Sequence, residues 1–147
     1  VEALRRTLAE AGFAIVRETA FPDDPAPTPE ELGRAGIGLL AVYTGDGTIN
    51  AVVTGLYGWG GAVLVLPGGT MNLLSRRLHG EHDAERIIAD VAAGRARRVR
   101  PAVARSTAGD ALAGLLAGPG TRWGEVREAL RSFDVLETAE RAGEALA

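Results

Sequence analysis

The chain has 147 residues, 46% of them hydrophobic and 24% charged, which is a globular composition with room for one domain or for one domain and part of a second. A formal charge of −3 argues against a dedicated nucleic-acid binder, and the absence of cysteine excludes disulfide and thiolate chemistry and fits a reducing, cytoplasmic compartment. All 16 basic residues are arginine, so no mechanism can use a lysine, and no apolar run approaches the roughly 20 residues that span a bilayer. Glu2 to Ala11 carries leucines one helical turn apart and meets Gly12 where a helix would end. Phe13 to Arg17 reads as a strand, and Phe21 to Pro29, with four prolines, as a loop. Thr28-Pro29-Glu30-Glu31 has the pattern of a capping box and starts a short helix that ends near Gly36.

Ile37 to Tyr43 is a continuous apolar run, as expected of a parallel strand buried on both faces. A helix is predicted over Thr48 to Tyr57, a turn at Gly58-Trp59-Gly60-Gly61, a second buried strand over Ala62 to Leu66 and a helix over Thr70 to Leu78. Asp83 caps a further helix that runs through Ala93 to Gly94. This alternation predicts a layered α/β fold, an open and mostly parallel sheet with flanking helices. Beyond Gly94 the pattern changes. Arg97 to Arg105 and Ala111 to Ala117 are strand candidates, and Trp123 to Arg131 and Val135 to Leu146 are helical. A boundary is expected near Pro101, with residues 1–100 forming the α/β domain and residues 101–147 beginning a second, β-rich one.

Two loops carry the chemistry. Thr44-Gly45-Asp46-Gly47-Thr48-Ile49-Asn50 follows the first buried strand, and Pro67-Gly68-Gly69-Thr70-Met71-Asn72 follows the second. Ligands of open α/β sheets bind beyond the carboxyl ends of the strands, where both loops would lie. Glycine lets backbone approach a phosphate, and the N–H groups and dipole of a following helix attract anions. The hydroxyls of Thr48 and Thr70 are placed to donate to phosphate oxygens, while Asn50 and Asn72 would pin one loop to the other or reach the ligand. There is no G-K-[ST], so this is not a Walker A loop, and no third glycine completes a dinucleotide fingerprint.

The segments TGDGTINAVV at 44–53 and LPGGTMNLLSRRL at 66–78 resemble the GGDGT-type and PxGTxNDFAR-like motifs of the diacylglycerol kinase and lipid kinase family. The likeness extends to Arg17-Glu18-Thr19 upstream, to DAERIIADVAAGRARRVR at 83–100 and to AGPGTRW at 117–123. It implies ATP-dependent phosphoryl transfer to the hydroxyl of diacylglycerol or a related lipid, with ATP bringing Mg2+. It implies that Thr44, Gly45, Asp46, Gly47, Thr48, Ile49 and Asn50 line the nucleotide phosphates. Thr70 and Asn72 would join them from the second loop, and Thr19 from the end of its strand. With lysine excluded, backbone amides, arginines and magnesium would meet the phosphate charge. The resemblance also implies a lipid substrate; peripheral contact at the inner membrane surface and a homodimer are compatible with it, and the sequence leaves the oligomeric state open. Thr44 stands in place of the family's first glycine, Ala51 in place of a frequent glutamate, and Leu73-Leu74-Ser75 in place of Asp-Phe-Ala. The family's Asn-Pro strand would precede Val1, where the chain opens without methionine as a trimmed product would. Its general base and second-domain metal site would follow Ala147. No residue of this chain is assigned as a base, and phosphoryl transfer by these residues alone is not expected.

Three other readings remain at this point. NAD kinases and phosphofructokinase-like enzymes share the GDGT loop, so the acceptor could be a nucleotide or a sugar, although PGGTMN favours a lipid. A nucleotide-binding protein without catalysis is the second, and a bare α/β structural domain the third. His79 and His82 form H-x-x-H but lack a distant third ligand and are expected at a solvated surface. The arginines at 95, 97, 98 and 100 fit a solubilised strand edge or an anionic lipid surface. Trp59 and Trp123 are expected to pack, and Gly118-Pro119-Gly120 to turn the chain.

Overall fold

A computed structural model of the chain describes residues 1–114. Their order is helix α1 (Glu2–Glu10), helix α2 (Pro29–Arg34), strand β1 (Leu39–Thr44), helix α3 (Asp46–Gly55), strand β2 (Ala62–Pro67), helix α4 (Leu73–His79), helix α5 (Ala84–Ala92), and strands β3 (Ala104–Ser106) and β4 (Gly109–Ala111). β1 and β2 pair in parallel across α3, with Leu39 opposite Ala62 and Thr44 opposite Pro67. The fold is α/β, as the alternation predicts. The expected helices Trp123–Arg131 and Val135–Leu146, the Gly118-Pro119-Gly120 turn and Trp123 lie outside the described residues.

Alternation along the strands divides the core. Val42 and Val65 face Leu32 of α2, Ile49 and Val52 of α3, Leu56 just after that helix, and Leu74 of α4. Leu64 and Leu66 point the other way, onto Ile87 and Ile88 of α5 with Leu4 and Leu8 of α1 beside them. Leu66 and Ile88 are fully buried, and burial on that scale contributes about 1.5–3 kcal/mol per side chain. Helix starts follow their local signals. The Thr28 Oγ accepts from the Glu31 N–H at 3.2 Å and the Thr28 N–H donates to the Glu31 carboxylate at 3.0 Å, closing the capping box. The Asp83 carboxylate accepts from the Arg86 N–H at 2.8 Å and starts α5.

Several expectations are corrected. Phe13–Arg17 is not a strand: residues 13–20 have no ladder partner, since among the described residues β1 and β2 bond only to each other. Phe13 packs beneath α1 and α5, whereas Val16 is 72% exposed. The segment is tied down instead by Arg5, whose guanidinium donates to both oxygens of Glu18 at 2.7 and 2.9 Å. That hydrogen-bonded pair holds the Glu18 carboxyl below its ordinary range. Nor is the first apolar run buried on both faces along its length. Tyr43 remains 48% exposed, because α5 packs against β2 and leaves the end of β1 uncovered. The strand expected over Arg97–Arg105 shrinks to β3; of the one expected over Ala111–Ala117, only Ala111 is in a strand, as the last residue of β4 in a tight antiparallel hairpin, 112–114 are not strand, and 115–117 lie outside the described residues. α3 starts two residues earlier than predicted. α4 starts three residues later, because Asn72 is left-handed at φ 51° and cannot lie inside a helix.

Candidate functional site at two glycine loops

The first loop is a single residue. β1 ends at Thr44, Gly45 turns the chain, and α3 begins at Asp46 with no side chain capping its first N–H groups. Gly47 is exposed in that first turn, and a Cβ there would meet nothing within 4 Å. The second loop runs from Gly68 to Asn72. Its glycines serve a close approach of backbone to backbone. A Cβ on Gly68 would lie 2.5 Å from the Thr44 nitrogen, and one on Gly69 would lie 2.5 Å from the Gly45 Cα. The loops touch glycine to glycine.

Asp46 locks them together. Its two carboxylate oxygens accept from the Leu73 N–H at 2.9 Å and the Leu74 N–H at 3.0 Å, so the residue just after the first loop caps the helix that follows the second. Asn72 acts locally: its amide accepts from the Gly69 N–H and donates to the Gly69 carbonyl, each at 2.8 Å, closing the turn. Asn50 points to the hairpin, donating to the Asp110 carbonyl at 2.9 Å and accepting from the Leu112 N–H at 3.0 Å. Ile49 is fully buried and its N–H donates to the Gly45 carbonyl. The link between the loops is therefore Asp46, where sequence reasoning looked to the asparagines.

The threonines differ. Thr19, Thr44 and Thr48 are half-buried and Thr70 is exposed, and none of their hydroxyls makes a hydrogen bond to a described residue. Thr70 and Asn72 line a cavity of about 250 Å³ together with Pro67, Ser75, Arg76 and His82. No residue of the first loop lines it. The Arg76 guanidinium on its wall is held by Glu81, at 2.6 Å from Nη2 and 3.0 Å from Nε. Arg77 donates to the Leu112 carbonyl at 3.3 Å.

His79 departs from the expected solvated surface. It is half-buried, and its Nε2 is enclosed without a partner. Burial lowers its pKa below the ordinary value of 6.5, against a contact with the Val65 backbone that favours the charged form, and His82 lowers it further. No group of three or more metal-ligating side chains forms among the described residues. No described helix is long and apolar enough to cross a membrane.

Two strands each leading through glycine into a helix, with the loops in backbone contact, agree with the comparison to protein families. The model of the diacylglycerol kinase catalytic domain matches residues 1–104. The chain belongs to that family. Comparison with curated proteins and with solved structures found no match. The match takes in both glycine loops and ends at the first residue of β3, so nearly all of the hairpin lies beyond it. Kinase-type chemistry thereby attaches to the family, and a lipid kinase-like α/β fold to this chain.

Proposed function

We propose that this chain binds the phosphates of ATP, with its magnesium, at the start of α3, and serves phosphoryl transfer to a lipid hydroxyl. One contrast carries the reading. Asp46 is the first residue of α3, but its carboxylate is engaged by the first N–H groups of α4, so the N–H groups at the start of α3 have no side-chain cap and lie beside an exposed Gly47 and Thr48. Uncapped N–H groups and the positive end of the helix dipole favour an anion there. The hydroxyls of Thr44, Thr48 and Thr70, and of Thr19 upstream, lack partners among the described residues and would serve as additional donors. Magnesium would lower the charge of the bound triphosphate, which backbone dipoles alone meet only in part. The family match and the exposed arginines at 97, 98 and 100 support a lipid acceptor and contact with an anionic membrane surface.

Calorimetric titration of ATP with magnesium tests the reading. Gly47→Ala places a methyl group where phosphate would approach, and Thr70→Val removes a hydroxyl. Each should weaken binding severalfold without lowering the melting temperature. Equal affinity in the wild type and both variants would remove the assignment. Asp46→Ala is unsuited to this purpose, because it also removes the cap of α4.

A further inference from the structure

Asn50 ends the first glycine-loop motif, one turn into α3, and its amide is bonded on both sides by a segment 60 or more residues away. The two backbone groups it meets, the Asp110 carbonyl and the Leu112 N–H, flank Ala111, whose partner across the hairpin is Ala104. Groups on either side of one strand residue point to the same edge, so the amide pairs with β4 as another strand would, supplying one acceptor and one donor. Other contacts hold the same stretch. The Tyr57 hydroxyl donates to the Asp110 carboxylate at 2.9 Å, Arg77 donates to the Leu112 carbonyl, and the Leu112 side chain is 3% exposed in the core shared by α2, α3 and α4.

We infer that Asn50 is a positioning residue that sets the register of the β3–β4 hairpin on the helix of the first glycine loop, and that it does not bind the nucleotide. Only an amide satisfies both contacts. An aspartate of the same shape still accepts from the Leu112 N–H but turns a second oxygen towards the Asp110 carbonyl. Alanine leaves both groups without a partner. The hairpin thereby becomes a fixed neighbour of α3, one helical turn from Gly47. The geometry stands independently of the proposed phosphate site; the claim that Asn50 is no ligand of that site rests on it.

The experiment uses the whole chain with Asn50→Asp, Asn50→Ala and, as a variant that leaves the amide in place, Leu112→Ala. Amide hydrogen exchange at Leu112 is followed by NMR, and ATP–magnesium affinity by calorimetry. Loss of one such hydrogen bond should speed exchange at Leu112 about five- to tenfold in Asn50→Ala. Asn50→Asp should loosen the hairpin despite its unchanged volume, with ATP affinity within about twofold of wild type in both. The Tyr57 phenol, raised by its bond to Asp110, should titrate closer to its ordinary value of 10.0 when the hairpin loosens, and Leu112→Ala should show the same signature with Asn50 intact. Unchanged exchange at Leu112 in Asn50→Ala would overturn the inference. So would a tenfold loss of ATP affinity with Leu112 protection retained, which would make Asn50 a ligand. If wild type itself fails to bind ATP, the phosphate reading falls while the exchange measurements still decide the clamp.

Discussion

Removing the Asp46 carboxylate should destabilise the chain through a helix that Asp46 does not belong to. Its two acceptor oxygens lie 2.9 and 3.0 Å from the Leu73 and Leu74 N–H groups. Loss of an N-terminal cap costs about 0.5–2 kcal/mol, and loss of a negative charge at a helix start about 0.3–1 kcal/mol. The Leu73 N–H is exposed and can turn to water, while the Leu74 N–H is partly buried, so Asp46→Ala should cost about 2 kcal/mol. Asp46→Asn keeps one acceptor oxygen and should cost about half as much. With an m-value of about 2 kcal/mol/M, the urea midpoint followed by circular dichroism should fall by about 1 M in Asp46→Ala. Asp23, exposed and without a side-chain hydrogen bond among the described residues, is the control, and Asp23→Ala should leave the midpoint in place. An unchanged midpoint in Asp46→Ala, or equal losses in the alanine and asparagine variants, would refute the cross-loop cap.

Gly69→Ala should part the two loops, because its Cβ would lie 2.5 Å from the Gly45 Cα, at a cost of about 1–3 kcal/mol. Gly47→Ala, opening on nothing within 4 Å inside α3, should be neutral or stabilising by up to about 1 kcal/mol; equal melting temperatures for the two variants would contradict the loop contact. His79 has a folded pKa below its ordinary 6.5, so the unfolded chain takes up its proton first and stability should fall as pH drops below about 6.5 towards the folded value. His79→Asn, which removes the enclosed Nε2, should flatten that slope in urea titrations between about pH 5 and 7, and an unaltered slope would place its origin elsewhere.

Local signals made much of this legible. Thr28 and Glu31 are three residues apart, and Asp83 accepts from an N–H three residues on, so both starts could be read from their own neighbourhoods. The strand–glycine–helix units were equally plain, because apolar runs bounded by glycine need no distant partner to be recognised. Phe13–Arg17 misled for the opposite reason: a strand requires a neighbour, and composition cannot supply one. Asp46 was singled out for its motif, but its bonding to α4 joins residues 27 and 28 apart. One cue was available, since the helix after Asn72 opens on Leu73-Leu74 without an acidic residue of its own in the first turn. His79 illustrates a further limit, because whether a histidine on a short helix meets solvent depends on the strand it packs beside.

The cap supplied by Asp46 also imposes an order of assembly. α4 has seven residues, too few to persist alone in water, and the groups that complete its first turn come from α3. β1, α3 and β2 can associate before α4 exists, whereas α4 cannot be completed until β1 and β2 have brought their loops together. In a refolding experiment the amides of β1 and β2 should therefore gain protection before those of Leu73 and Leu74, making the short helix a late reporter of closure rather than a seed for it.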